Sequence, residues 1–197
     1  SRALEIYPGS AKVRYKLGHI FSGQGRLDEA LAQFYEILKI EGDNVDVESD
    51  IGTILSRQGR LKEAEEHLHA ALNMDQNHFS ARYNLGVALL KQRRFQEALS
   101  QLLKAKDLNP EDPEVFKDLG IAMGNMGRFK EAAGYFSEAL RLDPDSAETY
   151  DNLGVTFAQM GRLEEAVKHF NRALEIDDAF ETARYHLTIT RKAMEGK

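Results

Sequence analysis

The chain has 197 residues, 42% hydrophobic and 29% charged, with a net charge of −6. That balance lacks the basic stripe needed to bind nucleic acid or anionic lipid, and no apolar run approaches the roughly 18 residues of a membrane helix. With no cysteine, disulfides, thiolate zinc sites and cysteine nucleophiles are excluded together. No charged-then-apolar leader opens the chain, and no Asn-x-Ser/Thr sequon occurs, so it reads as a cytoplasmic protein that does not insert into membranes.

From Ala11 onward the chain repeats itself every 34 residues, a period that marks a repeat architecture. Leu17-Gly18, Ile51-Gly52, Leu85-Gly86, Leu119-Gly120 and Leu153-Gly154 come first in each repeat. The turns "GQGR", "RQGR", "KQRR", "NMGR" and "QMGR" follow. Next come Ala30, Ala64, Ala98, Ala132 and Ala166, then Phe34, Leu68, Leu102, Phe136 and Phe170. Each repeat predicts two helices. In the fifth, Leu153, Phe157 and Met160 recur at helical spacing, as do Ala166, Phe170, Ala173 and Leu174. Gly161 suits a left-handed cap closing the first helix. "DPEV" at Asp112 opens a helix with a capping carboxylate and proline at the first position. The glycines inside the first helices cost about 0.5–1 kcal/mol each against alanine. Their recurrence predicts two helix backbones packed too closely for a larger residue.

These residues resemble the tetratricopeptide repeat pattern. Its W-x2-L-G-x2-Y, A-x3-F-x2-A and final proline are matched by "YDNLGVTF", "AVKHFNRA" and "FKDLGIAM…AAGYFSEALRLDP". The resemblance implies an all-α, right-handed superhelix of helix-turn-helix repeats at 11–44, 45–78, 79–112, 113–146 and 147–180. Residues 1–10, with Ala3 and Pro8 on the period, match the end of an earlier second helix, so more repeats or another domain are expected to precede Ser1. Residues 181–197 match a lone first helix with a polar, solvating end. Departures are local. The aromatic slot of Phe116 and Tyr150 holds Arg14, Glu48 and Arg82 elsewhere, and Arg93 stands where a turn glycine is due.

Little points to catalysis. His67 and His69 lie two apart on a helix, and none of the other histidines has a partner at i+4. The stretch "EGDNVDVESD" departs from a calcium loop at Ile51 and Arg57; its carboxylates suit a helix N-terminus instead. No phosphate-binding, dinucleotide or nucleophile motif occurs, and no cofactor or metal site is expected.

The resemblance places the first helices of each pair along a concave groove. It assigns Asp50, Tyr83, Asn84, Val87, Leu90, Lys117, Asp118, Ile121, Asn152 and Val155 to that surface. Val87, Leu90, Ile121 and Val155 form an apolar floor, unless Val87, Ile121 and Val155 pack between neighbouring helices. Asp46, Asp50, Glu114, Asp118, Glu148 and Asp151 form a carboxylate edge. That combination suits an extended or amphipathic segment carrying basic residues. Chaperone-tail docking is disfavoured because Asp50, Glu114 and Asp118 stand where cations or amides are needed. The expected function is a non-catalytic protein–protein interaction scaffold. The alternatives are a self-assembling scaffold, joined through exposed ends near Leu4 and Ile6, and the arm of a larger enzyme. For the latter, an O-linked N-acetylglucosamine transferase would show an asparagine ladder, and only Asn84 and Asn152 stand in that row.

Overall fold

The computed structural model describes residues 10–196. Among them are eleven α-helices and no strand: α1 (Ala11–Gly23), α2 (Leu27–Glu41), α3 (Val45–Arg57), α4 (Leu61–Met74), α5 (Phe79–Lys91), α6 (Phe95–Leu108), α7 (Pro113–Asn125), α8 (Phe129–Leu142), α9 (Ala147–Gln159), α10 (Leu163–Ile176) and α11 (Glu181–Glu195). The earlier helix expected in residues 1–10, with Leu4 and Ile6, lies outside the described residues apart from Ser10. No described helix is long and apolar enough to cross a membrane. The chain divides into two compact units at Arg94 and Phe95, inside the third sequence repeat.

In the first unit α1 packs on α2 and α3 on α4, while α3 also meets α2 and α5. Its core joins Leu31, Phe34 and Ile37 of α2 to Val47, Ile51 and Leu55 of α3. In the second unit α7 packs on α8 and α9 on α10. Here α9 also reaches α7, α8 and α11, with Phe170 and Leu187 in the core beside Val155 and Phe157.

The small residue of each first helix has a definite partner. A methyl group on Gly18 would lie 2.7 Å from Phe34 Cζ, and one on Gly52 would lie 2.5 Å from Leu68 Cγ. At Gly120 and Gly154 the distances to Cε1 of Phe136 and Phe170 are 2.6 and 2.5 Å. The close approach is therefore that of a buried side chain onto the glycine, not of one backbone onto another. At Gly52 a backbone atom also comes near, Ala64 O at 3.1 Å.

Within a pair the reversal takes three residues. Gly25, Gly59, Gly127 and Gly161 adopt φ between 74° and 78°, and the N–H of the following arginine donates to a carbonyl five residues back, 2.9 Å away in each turn. Arg93 adopts the same left-handed conformation at φ 61°. The repeat imposes that geometry whether or not glycine is present. The first helices of the five repeats start on capping side chains. Ser10, Asn44 and Ser146 accept the N–H groups of Val13, Val47 and Thr149. Asp112 accepts those of Glu114 and Val115, ahead of Pro113. At α5 the cap is His78, whose Nδ1 accepts from Ala81 N–H at 3.2 Å while Nε2 meets Asp46 Oδ1 at 3.0 Å. Second helices start on an arginine instead, which clasps a glutamate three residues on: Arg26–Glu29, Arg60–Glu63, Arg128–Glu131 and Arg162–Glu165.

Candidate functional site

The residues assigned to the groove fall on both units. In the first, Tyr83, Asn84, Val87 and Leu90 are half-buried on α5, and Tyr83 stacks on Phe79 with ring centroids 6.1 Å apart. Asp50 on α3 is taken up inside the unit. Its Oδ2 lies 3.1 Å from His19 Nε2 of α1, and Tyr15 of the same helix is close by. Burial raises the pKa of Asp50, an effect that His19 and Tyr15 only partly offset; burial and then the Asp50 charge raise that of Tyr15.

In the second unit the structure brings three assigned residues into one place. Ile121 of α7 and Asn152 and Val155 of α9 line a recess of about 370 Å³. Gly124, Asn125, Phe129, Thr156 and Gln159 share it. The floor is apolar, and amide groups stand along it. Asn125 donates to Ile121 O at 2.9 Å, and the Thr156 hydroxyl donates to Asn152 O at 2.8 Å. Both anchor their side chains to the helix that bears them. A methyl on Gly124 would meet only Ala132 Cβ, at an ordinary 3.9 Å. Packing therefore does not demand glycine there. Asn125 and Gln159 read in the sequence only as parts of the turns "NMGR" and "QMGR", so their place in the recess was not evident. For Gly124 a signal existed: Ser22 and Ser56 are also small at that register.

Lys117 and Asp118, assigned to the same surface, are buried. Lys117 is bound by two carboxylates, Glu114 at 2.7 Å and Glu148 at 2.9 Å. Burial works against its charge, but its hydrogen bonds to Glu114 and Glu148 outweigh burial and raise its pKa. Asp151 pairs with His186 of α11 at 2.8 Å; burial pushes its pKa up, and the bond to His186 pulls it only part of the way back. Asp46 likewise meets His78. The carboxylate edge expected to attract a basic segment is thus largely used within the chain. Its carboxylates join neighbouring helices through lysine and histidine. Among the described residues, no three His, Asp or Glu side chains are placed to hold a metal ion.

Three family profiles described as tetratricopeptide repeat match residues 11–44, 49–113 and 113–179. No curated protein sequence matches the chain. Among solved structures, YrrB is described as a TPR protein with an unusual peptide-binding site. It is 26% identical, with 93% of this chain and 95% of that chain covered and a TM-score of 0.72. MamA from Desulfovibrio magneticus RS-1, residues 41 to the end, is 24% identical over 86% of this chain and 96% of that one, with a TM-score of 0.77. TTC0263, a thermophilic TPR protein in Thermus thermophilus, is 22% identical over 92% and 98%, with a TM-score of 0.75. The last two likenesses bear on the fold alone.

Proposed function

The chain belongs to the tetratricopeptide repeat family, and from that premise we infer a non-catalytic interaction scaffold that holds an extended segment of a partner protein in the recess between α7 and α9. One observation carries this reading. Half-exposed Ile121 and Val155 lie side by side with Asn152 and Gln159, over a glycine that internal packing does not require. Apolar side chains of a segment would cover Ile121 and Val155, while the amides exchange hydrogen bonds with its backbone. The peptide-binding site named for YrrB supports the same use of the fold. Because Glu114 and Glu148 are already paired with Lys117, the bound segment is recognised by its apolar residues and backbone more than by positive charge.

The test is selection of displayed peptides on the whole chain, followed by titration of Ile121→Glu and Val155→Glu. A half-exposed glutamate stays hydrated in the free protein, so both variants should melt like the parent. Under a bound segment it becomes an unpaired buried charge, so affinity should fall at least tenfold. Peptides that bind the variants as well as the parent would remove the recess from consideration. Unfolding of both variants would make these residues core.

A further inference from the structure

A second recess, sharing no lining residue with the first, lies beside α8. It measures about 350 Å³ and is lined by Phe116, Glu131, Gly134, Tyr135 and Glu138. The rings of Phe116 and Tyr135 stand 6.5 Å apart at 40°. Gly134 is exposed in mid-helix, and a methyl there would touch nothing within 4 Å. Helix propensity favours almost any other residue at such a position, so neither the fold nor local conformation accounts for the glycine.

The repeat reveals what fills this slot elsewhere. In the fifth repeat, 34 residues on, Tyr150 stands for Phe116, His169 for Tyr135, Lys168 for Gly134 and Arg172 for Glu138. There the guanidinium of Arg172 lies 5.9 Å from the Tyr150 ring centroid, while His169 stacks on the same ring. In the first repeat Arg14 occupies the position of Phe116 and donates to Gln33, the equivalent of Tyr135, at 3.1 Å. In the second, His67 stands for Tyr135 and meets Glu48, in the place of Phe116, at 2.5 Å. Three repeats thus close the slot with a basic or imidazole group of their own. The fourth has the aromatic rings and the carboxylates, but Gly134 and Glu138 stand where Lys168 and Arg172 do.

We propose that this recess receives an arginine side chain from a partner protein, its guanidinium stacked on Phe116 and Tyr135 and paired with Glu138. Charge complementarity supports this occupant, because Glu131 and Glu138 bracket the rings. Their present partners, Arg128 and Arg141, form exposed surface pairs of the kind that exchange at little cost. Arginine fits better than lysine. Its planar, weakly hydrated cation stacks on rings and forks onto a carboxylate, whereas an ammonium holds its water.

The test is titration of the peptide acetyl-Gly-Arg-Gly-amide into the isotope-labelled full chain, followed by amide chemical shifts. Saturable shifts are expected at Phe116, Gly134 and Tyr135, with the lysine and citrulline counterparts at least fivefold weaker. Gly134→Leu should abolish them by filling the slot. Glu138→Arg should do the same by supplying in the chain what Arg172 supplies to its own repeat, while Glu138→Gln weakens binding severalfold. Ile121→Glu in the other recess should leave these shifts unchanged. Shifts that grow without saturating, that are as large around Tyr150, or that survive Gly134→Leu or Glu138→Arg would overturn the proposal.

Discussion

Replacing Gly120 by alanine adds one methyl group and sets two effects against each other. Alanine is the better helix former by about 0.8–1 kcal/mol, which alone would stabilise α7. The new methyl, however, would lie 2.6, 2.7 and 2.8 Å from three carbons of the Phe136 ring, about 1 Å inside the usual contact distance of roughly 3.5–4 Å. Phe136 is 2% exposed, so the ring cannot swing into solvent and α8 must move away from α7. Overpacking of this kind costs about 1–3 kcal/mol. Gly124→Ala, one turn later on the same helix, supplies the comparison because its methyl meets only Ala132 at 3.9 Å. Subtracting one variant from the other cancels helix propensity and leaves the overlap, so Gly120→Ala should be less stable than Gly124→Ala by about 1–3 kcal/mol. At about 2–4 °C per kcal/mol for a chain of this size, melting temperatures would resolve the difference. Hydrogen exchange in α7 and α8 should accompany the melts, because repeats unfold without strict two-state behaviour. Equal stability of the two variants would refute the view that the repeating glycine exists to admit the ring.

Three further outcomes are expected. Gly161→Ala has open space around it but φ 74°, so it should lose about 1 kcal/mol from left-handed strain in a urea titration; Gly134→Ala, equally open but in ordinary helix, should gain a similar amount, and the same sign for both would contradict this. Arg93→Gly should gain up to about 1 kcal/mol by relieving φ 61°, and a loss would show that the arginine side chain outweighs its backbone strain. Asp151 has its folded pKa raised, by burial first and by Glu148, with His186 opposing. Its contribution to stability is therefore present below the unfolded carboxylate value and lost as pH rises through the folded one, so the stability of Asp151→Asn relative to the parent should grow from pH 3 to pH 7; a flat or falling difference in melting temperature would refute this.

The helices, their turns and the glycine row were legible because each rests on contacts between residues of the same repeat. Gly18 with Phe34 and Gly154 with Phe170 recur at fixed offsets, so the period displays them. Arg93 was visible as a departure, and its strained φ follows from the geometry the other four turns share. The charges of the groove were misread for a geometric reason. Comparing residues 34 apart lines up equivalent positions, but neighbouring first helices touch at other offsets. Lys117 meets Glu148 31 residues on, His78 meets Asp46 32 residues back, and Asp151 meets His186 35 residues on. Each contact joins two different rows, so Glu148, Asp46 and Asp151, read as parts of an open acidic edge, have partners in Lys117, His78 and His186. The arginine slot beside α8 became evident only when the contacts of Arg14 and Arg172 could be compared.

His78 gives α5 a property that the other first helices lack. Accepting the Ala81 N–H requires a bare Nδ1, and meeting Asp46 as a donor requires the hydrogen on Nε2, so the cap works only with the neutral ring in that tautomer. Ser10, Asn44 and Ser146 hold their helices with groups that carry no such proton. One ring therefore both starts α5 and ties that start to α3, so replacing His78 would loosen the cap and the link between the two helices together.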